Sequence, residues 1–213
     1  MPRIDLQVGE QKKHVERALK ELRDGFVIVA PLERGYVYLA DAFTPFAVRA
    51  MHVLRGDQVG VAAQVLTHNA EMVGGLAREV PAEAKALMKE FWPGELSLNL
   101  KPILALNWDL GDDKALDLFS VRVPKAKFIK ALLKVSGPLV VASASPAGAE
   151  PMLKINRAAI KEWQVAAVFD GGPLKSGKRT SVVEVSEGGL RLVREGAISA
   201  ARLAAIAPSL STT

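Results

Sequence analysis

The sequence predicts an α/β or α+β sheet domain, and three observations carry the prediction. Short apolar runs alternate along the chain with segments whose apolar residues recur at helical spacing. Hydrophobic residues make up 49% and charged residues 24%, the proportions of a packed globule, which excludes disorder as the main state. No repeat, low-complexity tract or long Pro/Gly/Ser linker interrupts the 213 residues. Residues 1–213 therefore read as one domain, with a core over about 10–200 and frayed ends at 1–8 and 208–213.

Val15, Ala18, Leu19 and Leu22 fall at i, i+3, i+4 and i+7 and predict a helix over about 10–23, ended by Asp24-Gly25. Phe26–Ala30 reads as a short buried strand bounded by Pro31, and Tyr36–Ala40 as a second. Thr44-Pro45 opens the next helix, with threonine as cap and proline at the first helical position. Val59–Leu66 is strand-like, and Ala82–Phe91 behind Pro81 is helical. Leu96, Leu98 and Leu100 alternate with Ser97, Asn99 and Lys101, the period of a half-exposed strand. Further strands are expected at Leu118–Val123, Leu139–Ala142, Ala166–Phe169, Ser181–Val185 and Leu190–Val193, and helices at about 125–134, 156–163 and 199–207.

The chain has no cysteine, which rules out disulfides, thiolate metal sites and cysteine nucleophiles and suits a reducing compartment. No apolar stretch approaches the ~18 residues of a membrane span, and the N-terminal residues lack the apolar core of a signal peptide. A cytoplasmic protein with no membrane partner is the expectation. Net charge is +5, and it is uneven: residues 1–106 hold 13 basic and 13 acidic side chains, residues 107–213 hold 15 and 10. Such an excess permits a polyanionic partner, RNA or nucleotide phosphate, and equally suits a solubilising lysine-rich face.

Few local motifs carry chemistry. Gly172-Pro-Leu-Lys-Ser-Gly177-Lys178-Arg179-Thr180 nearly spells a P-loop, but Arg179 takes the hydroxyl position and strand formers follow instead of a helix. A Gly-rich turn with a solvated Lys/Arg cluster is the plainer reading. His14, His52 and His68 lack metal-ligand spacing, so no metal site is expected and each reads as a structural or surface histidine. Asp112-Asp113 beside Gly111 reads as an exposed turn.

Longer strings carry more. Trp92-Pro93-Gly94-Glu95-Leu96-Ser97 resembles the Trp-Pro-Gly-Pro-Leu-Thr signature of the YrdC/YciO family, which includes threonylcarbamoyl-AMP synthases. Pro31-Leu32-Glu33-Arg34-Gly35-Tyr36 sits where that family has Pro-Thr-Glu-Thr-x-Tyr-Gly, and Val121-Arg122-Val123-Pro124 matches its Arg-Val-Pro. Ala142-Ser143-Ala144-Ser145 resembles its Pro-Ser-Ala-Asn. Asp170-Gly171-Gly172-Pro173, Thr180-Ser181-Val182-Val183 and Arg194-Glu195-Gly196-Ala197-Ile198 complete the series. The resemblance spans about residues 10–200.

The resemblance implies a twisted, open mixed sheet flanked by helices, with a concave basic cleft. It also implies an enzyme that condenses threonine, bicarbonate and ATP, with Mg²⁺, into threonylcarbamoyl-adenylate and pyrophosphate for a tRNA modification, in a family where some members bind double-stranded RNA. Arg55, Arg122, Ser143, Ser145, Thr180, Ser181 and Arg194 are the implied nucleotide- and phosphate-binding positions. No catalytic residue is singled out. Leu32 and Arg34 replace two threonines, Ser145 an asparagine, and Asp57 the arginine of a Lys-x-Arg whose lysine is Arg55. Unit charges about 4 Å apart interact by ~4 kcal/mol at an effective dielectric of about 20, so Asp57 beside a triphosphate is expected to cost several kcal/mol.

Three readings follow. The leading one is a divergent YrdC/YciO-like protein that binds nucleotide or RNA, with weakened, altered or lost catalysis. The others are a working threonylcarbamoyl-AMP synthase, and an RNA- or ribosome-associated protein without a small-molecule ligand. An Arg34–Asp57 ion pair across the cleft is a further expectation.

Overall fold

In the computed structural model, residues 2–106, 108–113, 117–156, 160 and 165–212 are described. The elements are β1 (Arg3–Asp5), α1 (Gln11–Arg23), β2 (Ile28–Leu32), β3 (Gly35–Asp41), α2 (Pro45–Arg55), β4 (Gln64–Leu66), α3 (Ala82–Phe91), β5 (Leu96–Leu100), β6 (Phe119–Arg122), α4 (Lys127–Ser136), β7 (Leu139–Ser143), β8 (Ala167–Asp170), β9 (Ser181–Ser186), β10 (Gly189–Arg194) and α5 (Ala200–Ala204). The ten strands form one open mixed sheet in the order β1-β8-β2-β3-β7-β4-β6-β5-β9-β10.

Strand periodicity sorts the central side chains into two cores. Ile28, Ala30, Val37, Leu39, Leu139 and Val141 face one side, under α1 and α4 through Ala18, Leu22, Ile129 and Leu132. Their neighbours Val29, Tyr36, Tyr38, Ala40, Val140 and Ala142 face the other, with Val48 and Met51 of α2 and Leu87 and Phe91 of α3. Because both faces are covered, the strands read as continuous apolar runs rather than alternating ones. β5 alternates leucines with Ser97 and Asn99 instead, yet it too has little exposed. Ser97, expected on an exposed face, is fully buried between β6 and β9.

Other expectations shift for identifiable reasons. β2 runs through Pro31, because β8 accompanies it only at Ile28 and Val29 and the N–H of Tyr36, opposite Pro31, bonds to the Met152 carbonyl at 2.8 Å. Proline is tolerated where a strand has one neighbour. The run from Val59 forms a strand only from Gln64, since the positive φ of Gly56 and Gly60 turns the backbone and leaves Val59 96% exposed. Thr44 caps α2 without a side-chain hydrogen bond.

The ends are tied down, not frayed. β1 pairs in parallel with β8, Arg3 pairs with Asp170, Ser211 bonds to β10 through the Leu190 carbonyl at 2.9 Å, and Leu210 is buried. Asp112 is likewise buried rather than exposed. The helix expected at 156–163 falls mostly outside the described residues.

Candidate functional site

Antiparallel neighbours bring opposite strand ends together, and at one such edge the molecule opens into a cleft of about 370 Å³. The β2–β3 turn, the ends of α2, β6, β7 and β10, and the approach to β9 form it. They contribute Leu32, Arg34, Arg55, Arg122, Ser143, Thr180 and Arg194, seven of the ten positions singled out in the sequence. Ser145, Ser181 and Asp57 do not line it.

The turn between β2 and β3 consists of two residues, Glu33 and Arg34, because Leu32 pairs with Gly35. Its side chains brace two different walls. Glu33 accepts from the backbone N–H groups of Lys125 and Ala126, ahead of the first turn of α4, and pairs with the Arg122 guanidinium. A carboxylate there satisfies two backbone donors just before α4 and complements the helix dipole. Arg122 is therefore 3% exposed and committed to Glu33, with its Nε lacking a hydrogen-bond partner among the described residues. It supports the cleft floor more than it presents an open cation.

Arg34 reaches the opposite wall. Its Nε donates to Glu95 Oε1 at 2.7 Å, Nη2 to Oε2 at 3.5 Å, and Nη1 to the Ser176 carbonyl at 3.4 Å. The guanidinium lies against Gly177, where a Cβ would come within 2.7 Å of Arg34 Nε. The expected Arg34–Asp57 pair is thus overturned, since Glu95 holds Arg34.

Asp57 is occupied elsewhere. Its carboxylate is 2.8 Å from His52 Nδ1 and 3.4 Å from Arg55 Nε, and its side chain is 3% exposed. His52 Nε2 sits 2.9 Å from the Leu110 carbonyl, and Gly111 leaves the ring no room for a Cβ beside it. The reversed charge is neutralised beneath the wall, not aimed into the cleft. Beside it, Arg55 lines the cleft.

The far wall is polar. Arg194 donates to the Thr180 carbonyl at 2.9 Å and to Thr180 Oγ1 at 3.0 Å, and Thr180 stands 3.4 Å from Ser97 Oγ. Gln64 donates to Ser97 and Ser120 at 2.8 and 3.0 Å. Partial burial, then the nearby charge of Arg179, lowers the pKa of Arg194 below the usual arginine value. Gly196 lets this segment close on the strand before it: a Cβ there would lie 2.2 Å from the Arg179 carbonyl, which accepts from Ala197. Ser181 is spent inside, accepting from the N–H groups of Gly196 and Ile198 and donating to the Ile198 carbonyl at 2.6 Å. Ser145 is buried and donates its N–H to Ser143 Oγ at 3.3 Å.

Sequence reasoning missed Arg179, Glu33 and Glu95, whereas His52, expected as a structural or surface histidine, holds Asp57 and the Leu110 carbonyl. Arg179 was read as part of a solvated turn, yet it lines the cleft and has no ion-pair partner among the described residues. The turn itself enters β9, not a helix, so it is no P-loop. The available signal for Glu95 was its place where the resembled signature has proline. Trp92 and Gly94 serve the frame: Trp92 Nε1 donates to the Leu96 carbonyl at 2.7 Å, and a Cβ on Gly94 would meet the Phe91 carbonyl at 2.1 Å. Among the described residues no group of three or more His, Asp or Glu side chains is placed to hold a metal ion.

Fold and site together define a class: an open ten-stranded α/β sheet with an arginine-lined cleft at the strand ends. The family described as "Telomere recombination" (Sua5/YciO/YrdC) matches residues 20–196, and the chain belongs to that family. It is 30% identical over 198 residues to a "Putative threonylcarbamoyl-AMP synthase" of Mycobacterium leprae, covering 92% of this chain and 89% of that one. Among solved structures it is similar to Escherichia coli YciO, with a TM-score of 0.76 and 25% identity over 92% of this chain and 94% of that one. It also shares the fold of P. abyssi Sua5 complexed with L-threonine, with a TM-score of 0.86 and 24% identity over 99% of this chain and 61% of that one.

Proposed function

We propose that the cleft binds ATP and makes threonylcarbamoyl-AMP from threonine, bicarbonate and ATP. The observation that carries this is the burial of Asp57 against His52 and Arg55, which removes the repulsion that argued against a triphosphate. The names of the relatives support the same reading.

In this reading Arg179 and Arg194, neither held by a carboxylate among the described residues, take the phosphates, and Thr180 and Ser143 donate hydroxyl hydrogen bonds to them. Arg55 supplies a third cation on the opposite wall. Threonine's amine displaces hydroxide from bicarbonate, which leaves as water with a proton of the amine, and an oxygen of the resulting carbamate attacks the α-phosphorus. The bond to the bridging oxygen breaks, and pyrophosphate leaves with the electron pair. Arg194, held on Thr180, stabilises that developing charge with Arg179 beside it. Mg²⁺ binds mainly through substrate phosphates in such sites, and these residues offer it no carboxylate cage of their own.

A second reading, nucleotide binding with weakened or lost catalysis, is favoured by one observation: Arg34 and Glu95 fill space at the first motif, where the resembled pattern has a threonine and a proline. Incubation with ATP, threonine and bicarbonate separates the two. Synthesis yields threonylcarbamoyl-adenylate and equimolar pyrophosphate, whereas binding alone yields neither.

A further inference from the structure

Arg34 and Glu95 depart from the resembled pattern separately in sequence, 61 positions apart, yet meet in an ion pair of 2.7 Å. The pair is not a surface accident of two flexible chains. Arg34 projects from a two-residue turn, Glu95 precedes the first residue of β5, and the guanidinium is pressed on Gly177. The Glu95 side chain is 20% exposed and that of Arg34 41%, so neither is sealed from solvent, and Arg34 itself lines the cleft. The same cleft holds Arg179 and Arg194, and the backbone carbonyl of Glu95 accepts from Ser181, next to Thr180. A planar guanidinium with two donors turned to one carboxylate is also the arrangement that receives a phosphate or a carboxylate of a ligand.

We propose that Glu95 is a built-in competitor for Arg34: its carboxylate occupies the position of a ligand's anionic group, so that a polyanion gains the Arg34 contact only by displacing it. The pair then acts as a specificity determinant. Ligands whose anionic groups are all satisfied by Arg179 and Arg194 bind without disturbing it. A ligand with a further phosphate or carboxylate directed at the β2–β3 turn must outcompete Glu95.

This inference rests on the cleft being an anion site, and the test keeps the two apart. Binding of inorganic tripolyphosphate is measured by calorimetry on the full chain and on Glu95→Gln, with Glu184→Gln, which removes a charge paired with Arg191 outside the cleft, as a control. Glu95→Gln is expected to tighten binding about tenfold by adding a free charged donor. Arg34→Gln together with Glu95→Gln is expected to return the affinity to that of the parent, and Glu184→Gln to leave it unchanged. Glu95→Ala serves as a second variant, with the same gain, should the glutamine variant fold poorly. A gain that is absent, or that survives in the double variant, overturns the competitor, and the anion cleft stands where Arg194→Ala still weakens binding about tenfold. No tripolyphosphate binding by the parent and by Glu95→Gln alike overturns both.

Discussion

Asp57 carries the charge opposite to that of the arginine at its position in the family pattern, and its consequence is set by what holds it. With His52 Nδ1 at 2.8 Å and Arg55 Nε at 3.4 Å, the carboxylate belongs to the cleft wall. Arg122 teaches the converse: a matched arginine whose partner, Glu33, leaves it no open face. Removing one member of a buried pair costs about 3–5 kcal/mol, because the other is left uncompensated. Arg122→Ala is therefore expected to lower stability by that order in denaturant titration; a change under about 1 kcal/mol would contradict the assignment. Arg194→Ala, by contrast, is expected to weaken ATP binding about tenfold or more with a small effect on stability, as read by calorimetry. Asp170 gives a pH prediction. Burial opposes its charge, but hydrogen bonds from Tyr36, the Gly172 N–H and Arg3 outweigh that and hold its pKa below the ordinary value. A depressed folded-state pKa stabilises fully above the unfolded value of about 3.9 and loses that stabilisation as pH falls through the folded value. Asp170→Asn is expected to lower stability at neutral pH and to flatten the acid limb of the stability curve, and an unchanged limb would count against it.

At the scale of elements, the two-residue β2–β3 turn positions both bracing side chains, and α4 closes the core beneath it. Leu132 is fully buried on the apolar face of α4. Leu132→Ala is expected to destabilise by about 2–5 kcal/mol in chemical denaturation, from lost burial and the cavity left behind. The helix was expected at about 125–134, and the structure buries Phe128, Ile129, Leu132 and Leu133, which fall at helical spacing on one face. Alternation of β2, β3 and β7 between two cores was legible only as unbroken apolar runs. β1 was not legible. Its three residues, Arg3-Ile4-Asp5, carry no periodicity, and their place is fixed by the sheet edge of β8 and the Arg3–Asp170 pair. Val59 misled for the opposite reason, an apolar residue on a glycine-turned loop in solvent. The string matches picked out Arg55, Ser143, Thr180 and Arg194, which line the cleft. They could not tell that Ser181 is spent on backbone groups or that Arg34 selects Glu95, since both facts depend on contacts between distant segments.

Across the whole molecule, the cleft collects its cations from both halves of the chain: Arg34 and Arg55 from the neutral first half, Arg122, Arg179 and Arg194 from the basic second half. Three of the five are matched or opposed by a nearby carboxylate, Arg34 by Glu95, Arg55 by Asp57 and Arg122 by Glu33. The remaining two, without a carboxylate partner among the described residues, lie at the approach to β9 and the end of β10, and both line the cleft. Net charge alone could not show this. Family membership, the burial of Asp57 and this residual charge together favour a cleft that uses ATP. The most direct test is product analysis of the purified chain with ATP, threonine and bicarbonate, by mass spectrometry alongside pyrophosphate release. The account predicts threonylcarbamoyl-adenylate and equimolar pyrophosphate, dependent on all three substrates and reduced at least about tenfold by Arg194→Ala. Tight ATP binding with neither product formed would contradict it.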